Sequence, residues 1–319
     1  MDEFEIITKY FQKLTKNNPS SLKLNDDVFF DKNNKIVLSI DSYNEGIHYL
    51  NFLKPKLLIK KIIRASISDL ICKGVQPKYI FLSCSGSKKH FNKRNLNLIS
   101  KSIVEEQKKY NIILSGGDTT KSKISSFTVA SLGISKKIVK RNNVKINDDI
   151  YVTGILGDSF VGLGILKKKI NINKKLNNYF INKYFLPDIP IKLHKHLINF
   201  ANSSIDISDG LFADLYKLIN NQKVGFRLYL NKIPISKNLS IYLKKNNKKV
   251  LNFISKGDDY QILFSSSKKN RFYIQKLAKR INQKITLIGS FTNLYKQRKL
   301  INHQGLIKSL NYEGYLHKF

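Results

Sequence analysis

Stretches of strand length and of helix length alternate along this chain, and this alternation limits the folds that it can adopt. Residues 28–30 and 36–40 predict two strands around a polar turn, and Pro55 opens an apolar helix pattern that runs to Ile71. The other elements predicted for the first half are helices at 4–13 and 96–110 and strands at 79–83, 111–114 and 125–134. Such alternation is typical of a mixed α/β domain.

The pattern breaks over residues 136–149, which are polar and charged. We place a domain boundary there, which divides the chain into residues 1–142 and 143–319. A chain of 319 residues is long enough for roughly two domains. The elements predicted for the second part are strands at 150–154, 204–207 and 225–230, helices at 158–166, 193–201 and 211–219, and a loop at 182–190.

Composition limits the compartment. Cys72 and Cys84 are too few for a disulfide framework, and residues 1–5 lack the basic and apolar segments that open a signal peptide. The apolar runs are far shorter than the ~18 residues that indicate a membrane-spanning helix. We therefore expect a cytoplasmic protein that does not cross a membrane.

The formal net charge is +35, which raises the question of nucleic-acid binding, because lysine and arginine neutralise phosphates. The basic residues are spread along the whole chain together with many asparagines and isoleucines, and no RNP pattern, zinc finger or basic arm organises them. This spread favours a general compositional bias, so a nucleic-acid partner is not expected. A positive field still helps to attract anionic substrates.

Carboxylates are scarce, yet they gather beside predicted strands and glycines. These acidic positions are Asp26 and Asp27, Asp41, Asp69, Asp118, and Asp206 with Asp209. Mg²⁺ prefers oxygen ligands and is usually held by a few carboxylates together with substrate phosphates. The pattern therefore indicates a site for divalent ions and phosphates, although turns and helix caps also account for any single cluster. Ser66 and Asp69 share one face of the helix that begins at Pro55.

A glycine run, GGDTT at 116–120, directly follows the strand predicted at 111–114. Backbone without side chains can approach a phosphate closely there and offer N–H donors. The sequence contains no G-x-x-x-x-G-K-[ST] pattern, and its other glycine runs lack the context of a dinucleotide fingerprint. Taken alone, each glycine run indicates a turn rather than a ligand-binding backbone.

The order and the local sequences of these clusters resemble those of the thiamine-monophosphate kinase family, within the aminoimidazole-ribonucleotide-synthetase-like superfamily, over nearly the whole chain. The segments that carry the resemblance are EFEII at 3–7, DD at 26–27, DSYNEGIHY at 41–49, SDL at 68–70, GGDTT at 116–120, DISDGL at 206–211, GDDYQILF at 257–264 and EGYLHKF at 313–319. The aspartate positions are common to the superfamily, whereas the first, middle and last segments are specific to the kinase branch.

The resemblance implies a two-domain α/β (α+β) fold, with an N-terminal mixed sheet that pairs in a homodimer and a C-terminal α/β domain. It also implies direct transfer of the γ-phosphoryl group of ATP to thiamine monophosphate, which gives thiamine diphosphate and ADP. Several Mg²⁺ ions would bridge the two polyanions and stabilise the charge of the transition state.

The resemblance implies roles residue by residue. The metal ligands would be Asp27, Ser39, Asp41, Asp69, Asp118, Asp206 and Asp209. ATP would contact Gly117, Asp118, Arg141 and Ser208, and the catalytic residues would be Asp118, Asp209 and Arg141. Thiamine monophosphate would contact His48, Asp258 and Tyr315, because an aromatic ring and a carboxylate suit its cationic heterocycle. A buried core histidine remains the alternative for His48, and simple packing the alternative for Tyr315.

Several positions depart from the usual family pattern. Asn25 replaces a usual glycine, and asparagine tolerates left-handed backbone. Ile40 replaces a usual threonine and offers a metal only its backbone carbonyl. The remaining departures are Ser66 for asparagine, Lys121 for arginine, Lys256 for glycine and Asp258 for glutamate. These changes leave one metal site and the affinity for substrate open.

Two rival functions remain at this stage. The first is another ATP-dependent member of the superfamily, such as a selenophosphate or aminoimidazole ribonucleotide synthetase. A selenophosphate synthetase usually carries a reactive cysteine or selenocysteine in an N-terminal segment, and no cysteine precedes Asp26. The second rival is a cationic nucleic-acid-binding protein on the same scaffold, which salt-dependent binding without phosphoryl transfer would reveal.

Overall fold

Two β-sheets organise the chain over the residues that the computed structural model describes, namely 1–220, 222–295, 297–302, 304–305, 307–309 and 315. The strands are β1 Phe29–Asp31, β2 Ile36–Asn44, β3 Pro77–Gly86, β4 Ile113–Lys121, β5 Ser126–Ile134, β6 Asp149–Thr153, β7 Ala201–Asp206, β8 Gly225–Tyr229, β9 Ile262–Ser266, β10 Ile285–Thr292, β11 Arg298–Ile301 and β12 Ile307–Ser309. The helices are α1 Glu3–Ile6, α2 Pro55–Cys72, α3 Lys93–Tyr110, α4 Asp158–Leu166, α5 Lys174–Phe185, α6 His194–Leu197, α7 Leu211–Ile219, α8 Lys237–Lys245, α9 Leu251–Ile254 and α10 Arg271–Arg280.

The first sheet has the strand order β1-β2-β5-β3-β4, and the second has the order β12-β11-β8-β10-β6-β9-β7. In the first sheet β3 and β4 are parallel and the other pairs are antiparallel. The first sheet ends at Ile134 and the second begins at Asp149. The two sheets therefore lie on either side of the polar stretch at 136–149, and the exact boundary at residue 142 stays a prediction.

Helix α2 packs on one face of the first sheet and fixes the position of several polar side chains. Pro55 stands at its first turn, where the missing N–H costs nothing, and apolar residues of α2 such as Ile59 and Ile63 join the core with Phe127 of β5. The chain leaves the helix through Gly74, whose φ of +80° favours glycine. A Cβ at Gly74 would lie 2.7 Å from Ile198.

The opposite face of the first sheet is open in a single chain. All nine residues of β4 are exposed, and Ile113 is 59% exposed. Further large apolar residues exposed on strands of this sheet are Ile40, Tyr79, Phe81 and Leu114. Exposed apolar patches of this kind are typical of interaction surfaces.

Most predicted elements are confirmed, and α4 and α7 have the predicted bounds. The GGDTT run does not follow a strand, however. It lies inside β4, which continues to Lys121 because its backbone pairs with β3 after a register shift near Gly116. The glycine-rich sequence suggested a turn because isolated propensities disfavour glycine in strands, but the pairing with β3 overrides that preference.

Three other predictions were wrong in detail. The helix predicted at 4–13 is a short α1 followed by a π-helical turn, Ile7–Phe11, and a 3₁₀ turn, Gln12–Thr15. The loop predicted at 182–190 is helical at its start, because α5 continues to Phe185, where Phe180 and Tyr184 are buried. The helix predicted at 193–201 is only the four-residue α6.

No helix in the described part of the chain is both long and apolar enough to pass through a bilayer.

Candidate active site

Three carboxylates from distant parts of the sequence meet between the two sheets. Asp27 precedes β1, Asp69 lies in α2 and Asp206 ends β7, and one carboxylate oxygen of each lies within 4.8 Å of the others. Asp69 points here because it follows the buried, sheet-facing side of α2, and Asp206 because β7 ends at this point. The fold therefore assembles a set of oxygen ligands that the sequence separates.

Asp41 extends this cluster from β2. Burial and the negative charge of Asp206 raise its pKa to about 7, although the hydroxyl of Tyr43, which donates at 3.2 Å, opposes the shift. Ser39 lies on the same face of β2 because side chains alternate along a strand, and its hydroxyl donates to Asp69. Ile40, between them, is exposed on the opposite face. The Ile40 side chain is therefore not part of the cluster.

Hydroxyl groups hold the carboxylates in place. Ser68 donates to Asp206 at 2.8 Å, and the hydroxyls of Tyr43 and Ser66 lie 3.0 Å apart. Ser66 therefore supports Asp41 through Tyr43, and this contact is what the departure from asparagine provides in this chain. These bonds orient the carboxylate oxygens without neutralising them.

The cluster also holds two basic side chains, both on Asp27. Arg141 binds this carboxylate through two nitrogens, with Nε 3.1 Å from Oδ2, and its backbone N–H donates to Asp26 at 2.9 Å. The ammonium of Lys73 lies 2.6 Å from the same Oδ2. Sequence reasoning missed Lys73, because its neighbours come from segments more than 40 residues away.

Divalent ions fit this donor set. Burial, together with repulsion by Asp41 and Asp206, raises the pKa of Asp69, and burial raises the pKa of Asp206. Buried carboxylates that repel one another need a cation to become stable as anions, and the ligand atoms are all oxygens, which suits Mg²⁺. Asp27, Asp41, Asp69 and Asp206 would hold such ions, with Ser39 beside them.

The segment that follows β7 adds Ser208 and Asp209. Asp209 forms an ion pair with Lys217 of α7, and its backbone N–H donates to Asp214 at 3.0 Å. Burial raises the pKa of Asp214 to about 8, a shift that Lys217 opposes. Gly210 closes this turn with a φ of +120°, and a Cβ there would lie 2.3 Å from the carbonyl of Ser255. Glycine is required at this turn.

A cavity of about 540 Å³ opens beside the cluster. Predicted site residues that line it are Asp41, Asp69, Asp206, Ser208, Asp209, His48, Asp258 and Tyr315. Nδ1 of His48 accepts a hydrogen bond from the backbone of Asn44 at 3.0 Å, so a neutral ring carries its proton on Nε2. The backbone N–H of Tyr315 donates to the carbonyl of Asp209 at 3.2 Å. The rest of the terminal segment at 313–319 lies outside the described residues.

Lys61 and Tyr184 line the same cavity and were not predicted. The ammonium of Lys61 lies 2.7 Å from Oδ1 of Asp258 and 3.4 Å from the ring centre of Tyr184. Lys61 and Asp69 are eight residues apart in α2, which is close to two helical turns, so helical periodicity was the signal that could have found Lys61. Lys256 also lines the cavity.

Asp118 and Gly117 lie apart from the other predicted residues. They belong to the exposed strand β4, whereas Asp41 belongs to β2, and β5 and β3 stand between these strands. Three strand spacings correspond to roughly 14 Å. A single chain therefore does not bring Asp118 into the carboxylate cluster.

The chain is similar to known proteins over most of its length. The family model for "AIR synthase related protein, N-terminal domain" matches residues 25–135. A thiamine-monophosphate kinase of Buchnera aphidicola subsp. Acyrthosiphon pisum is 37% identical over 310 residues, 95% of this chain and 94% of that protein. One from Haemophilus influenzae is 30% identical, covering 91% of this chain and 89% of that protein.

The fold of the chain is similar to those of solved structures. The structure described as "AaThiL complexed with AMPPCP and TMP" has a TM-score of 0.85 and 26% identity, covering 99% of this chain and 97% of that chain. A thiamine monophosphate kinase from Aquifex aeolicus has a TM-score of 0.79 and 25% identity, covering 97% and 99%. The fold is also similar to that of E. coli HypE, a hydrogenase maturation protein, at 15% identity, 97% coverage of each chain and a TM-score of 0.68.

Two sheets with a carboxylate cluster between them define this chain as a protein of the AIR-synthase-related class. Within that class, similarity at 37% identity over nearly its full length is decisive. The chain belongs to the thiamine-monophosphate kinase family.

Proposed function

We propose that this protein transfers the γ-phosphoryl group of ATP to the phosphate of thiamine monophosphate, forming thiamine diphosphate and ADP. The observation that carries the proposal is the acidic cluster of Asp27, Asp69 and Asp206, which borders a cavity large enough for a substrate. The relatives named above are thiamine-monophosphate kinases, and one neighbour was solved with AMPPCP and TMP. Transfer is direct, without a phosphorylated side chain.

The carboxylate cluster prepares the site for two polyanions. Asp41 and Asp69 face the cavity and would hold Mg²⁺ ions on its side of the cluster. Bound there, such ions would supply neutralisation of the phosphate charge. Ser39 and Ser68 fix the carboxylate orientation through the hydrogen bonds described above, so the ligand oxygens are in place before substrate arrives.

The acceptor end of the cavity suits thiamine monophosphate. Asp258, whose Oδ1 is paired with Lys61, supplies its second carboxylate oxygen to the cationic thiazolium, and Tyr315 supplies an aromatic surface. His48 lines the same end of the cavity and, with its proton on Nε2, offers a donor for the substrate. The ATP contacts that we assign to Ser208, Gly117 and Arg141, and the catalytic role of Asp209, belong to this proposal.

We also propose a homodimer in the cytoplasm. The exposed apolar face of the first sheet, with Phe81 and Ile113, needs a covering surface, and a two-fold axis lets a second copy supply one. Such pairing places β4, with Gly117 and Asp118, at the interface. Asp118 is then positioned to join ATP and metal ions at a site that includes residues of both copies.

A substrate comparison tests the proposal. The purified protein is incubated with ATP and Mg²⁺ and with either thiamine monophosphate or thiamine, and products are separated by chromatography. Thiamine diphosphate should form from the monophosphate alone. Consumption of thiamine, or absence of any product, would contradict the assignment. Salt-dependent retention of duplex or single-stranded DNA without phosphoryl transfer would favour a nucleic-acid-binding function instead.

A further inference from the structure

Lys73 is a cation with no exposed surface, held at the C-terminal end of α2. Its ammonium lies 2.7 Å from Oδ1 of Asp26 and 2.6 Å from Oδ2 of Asp27, and it donates to the carbonyl of Ser204 at 2.7 Å. An ammonium group has three N–H donors. Each of them therefore has an oxygen acceptor, in an enclosed position that water does not reach.

Burial of a lysine ammonium costs free energy unless nearby negative charges and hydrogen-bond acceptors stabilise it. Asp26 and Asp27 are adjacent in sequence and both are largely buried, with side-chain exposures of 4% and 7%. Asp27 also lies within ligand distance of Asp69 and Asp206. Without a positive group at this point, the Asp26 and Asp27 end of the cluster would bring like charges together in a poorly solvated space.

The contacts of Asp27 leave little room for a metal on its outer side. Its Oδ2 is bound by Lys73 and by Nε of Arg141, and its Oδ1 is bound by a second nitrogen of Arg141. Lys73 also binds Asp26, whereas Asp41 and Asp69 line the cavity. Fixed cations thus occupy one end of the cluster, and the cavity side is left for exchangeable ions.

We propose that the ammonium of Lys73 takes the position of one divalent ion between Asp26 and Asp27. The chain then binds one divalent ion fewer than the same carboxylates would bind without the lysine. The inference rests on the proposed function, because it assumes that the cluster holds divalent ions. Lys73 would neutralise the paired carboxylates Asp26 and Asp27, as a metal ion would neutralise the carboxylates on the cavity side of the cluster.

The test counts metal ions. Three proteins are compared: wild type, Lys73→Met and the control Lys101→Met. The control removes the same charge from an exposed position on α3. Bound metal ions are first removed from all three with EDTA. Equilibrium dialysis against Mn²⁺ then gives the number bound, and thermal unfolding is measured with EDTA and with Mg²⁺. Lys73→Met should bind one more ion than wild type and should melt at a lower temperature in EDTA. Its melting temperature should also rise more than that of wild type when Mg²⁺ is added. The control should match wild type.

Equal ion counts in Lys73→Met and wild type, with a loss of stability that Mg²⁺ does not reduce, would overturn the inference and leave Lys73 as an ordinary ion-pair residue. If Lys73→Met does not fold, the count on Lys73→Gln decides, because glutamine keeps an N–H donor for the Ser204 carbonyl while removing the charge. Wild type that binds no Mn²⁺ would instead contradict the metal role in the proposed function, which separates the two failures.

Discussion

The carboxylate cluster and strand β4 both carry predicted metal ligands, but their surroundings are opposite. Asp69 is half-buried and lines the cavity with hydroxyl and carboxylate neighbours, whereas Asp118 is exposed on an open strand. One chain builds the first region completely and leaves the second without a cover. The partners of a charged side chain inside the fold come from the same chain, whereas a charged side chain on an open sheet face can contact groups of a second molecule.

The largest effect should come from Asp69→Asn. Loss of one buried carboxylate removes a metal ligand and should lower thiamine diphosphate formation roughly 1000-fold, the upper end for loss of one electrostatic contact at a reaction centre. The same change should raise the melting temperature in EDTA, because it relieves repulsion with Asp41 and Asp206. The control is Asp188→Asn, whose side chain is 71% exposed. Equal melting temperatures for Asp69→Asn and wild type would show that the cluster is not under repulsion.

The same substitution at the exposed region, Asp118→Asn, should lower activity roughly 100-fold. Its melting temperature in EDTA should change by much less than that of Asp69→Asn, because within one chain Asp118 lies on an exposed strand, where substitutions usually change stability by less than about 0.5 kcal/mol. Activity by product analysis and unfolding by calorimetry give the two readouts. Full activity in Asp118→Asn would refute its metal role, and the contrast with Asp69 would then concern folding alone.

The substitution Ile113→Lys tests whether a second copy of the chain covers the exposed apolar face of the first sheet. A charge on this apolar strand should convert a dimer to a monomer, as seen by sedimentation velocity, and should lower activity about tenfold or more at dilute protein if the interface completes the site. Leu96→Lys, on the exposed side of α3, is the matched control. A monomeric wild type of full activity would rule out the proposed interface.

Mg²⁺ binding should depend on pH because Asp41, in the carboxylate cluster, has a raised pKa. The pKa of Asp41 is about 7, so this carboxyl is increasingly protonated as pH falls below 7, and a metal must displace that proton. Affinity should fall by up to about tenfold per pH unit below 7, with proton release that calorimetry in buffers of different ionisation enthalpy detects. Affinity that does not change between pH 8 and 6 would contradict this assignment.

The smallest effect should come from Asp258→Asn at the acceptor end. Asparagine tolerates the φ of +69° at this position, so the backbone should survive. The lost carboxylate should raise KM for thiamine monophosphate about tenfold, or about 1.4 kcal/mol, with little change in kcat. Tyr315→Phe, which keeps the aromatic ring, is the companion variant and should change KM less. A fall in kcat alone would move Asp258 from substrate binding to the chemical step.

Local signals predicted the fold well where one element decides the outcome. The apolar period placed Asp69 and Ser66 on one face of α2, and the glycine after Ser208 and Asp209 marked the start of α7. The sequence could not show that the glycine run at 116–120 continues a strand, because parallel pairing with β3 depends on residues more than 30 positions away. Nor could it show that Lys73 is buried, since the carboxylates that stabilise its charge come from other segments.

Helix α2 carries both Lys61, beside the acceptor end, and Asp69, in the carboxylate cluster. Eight residues of α-helix span about 12 Å, so the spacing between the substrate-recognition end and the ion-holding end is set by a rigid rod within a single element. Insertion of one residue between them would rotate one end by about 100° relative to the other. In the proposed reaction, the distance between the bound vitamin ring and the transferred phosphorus would therefore be set by the pitch of one helix.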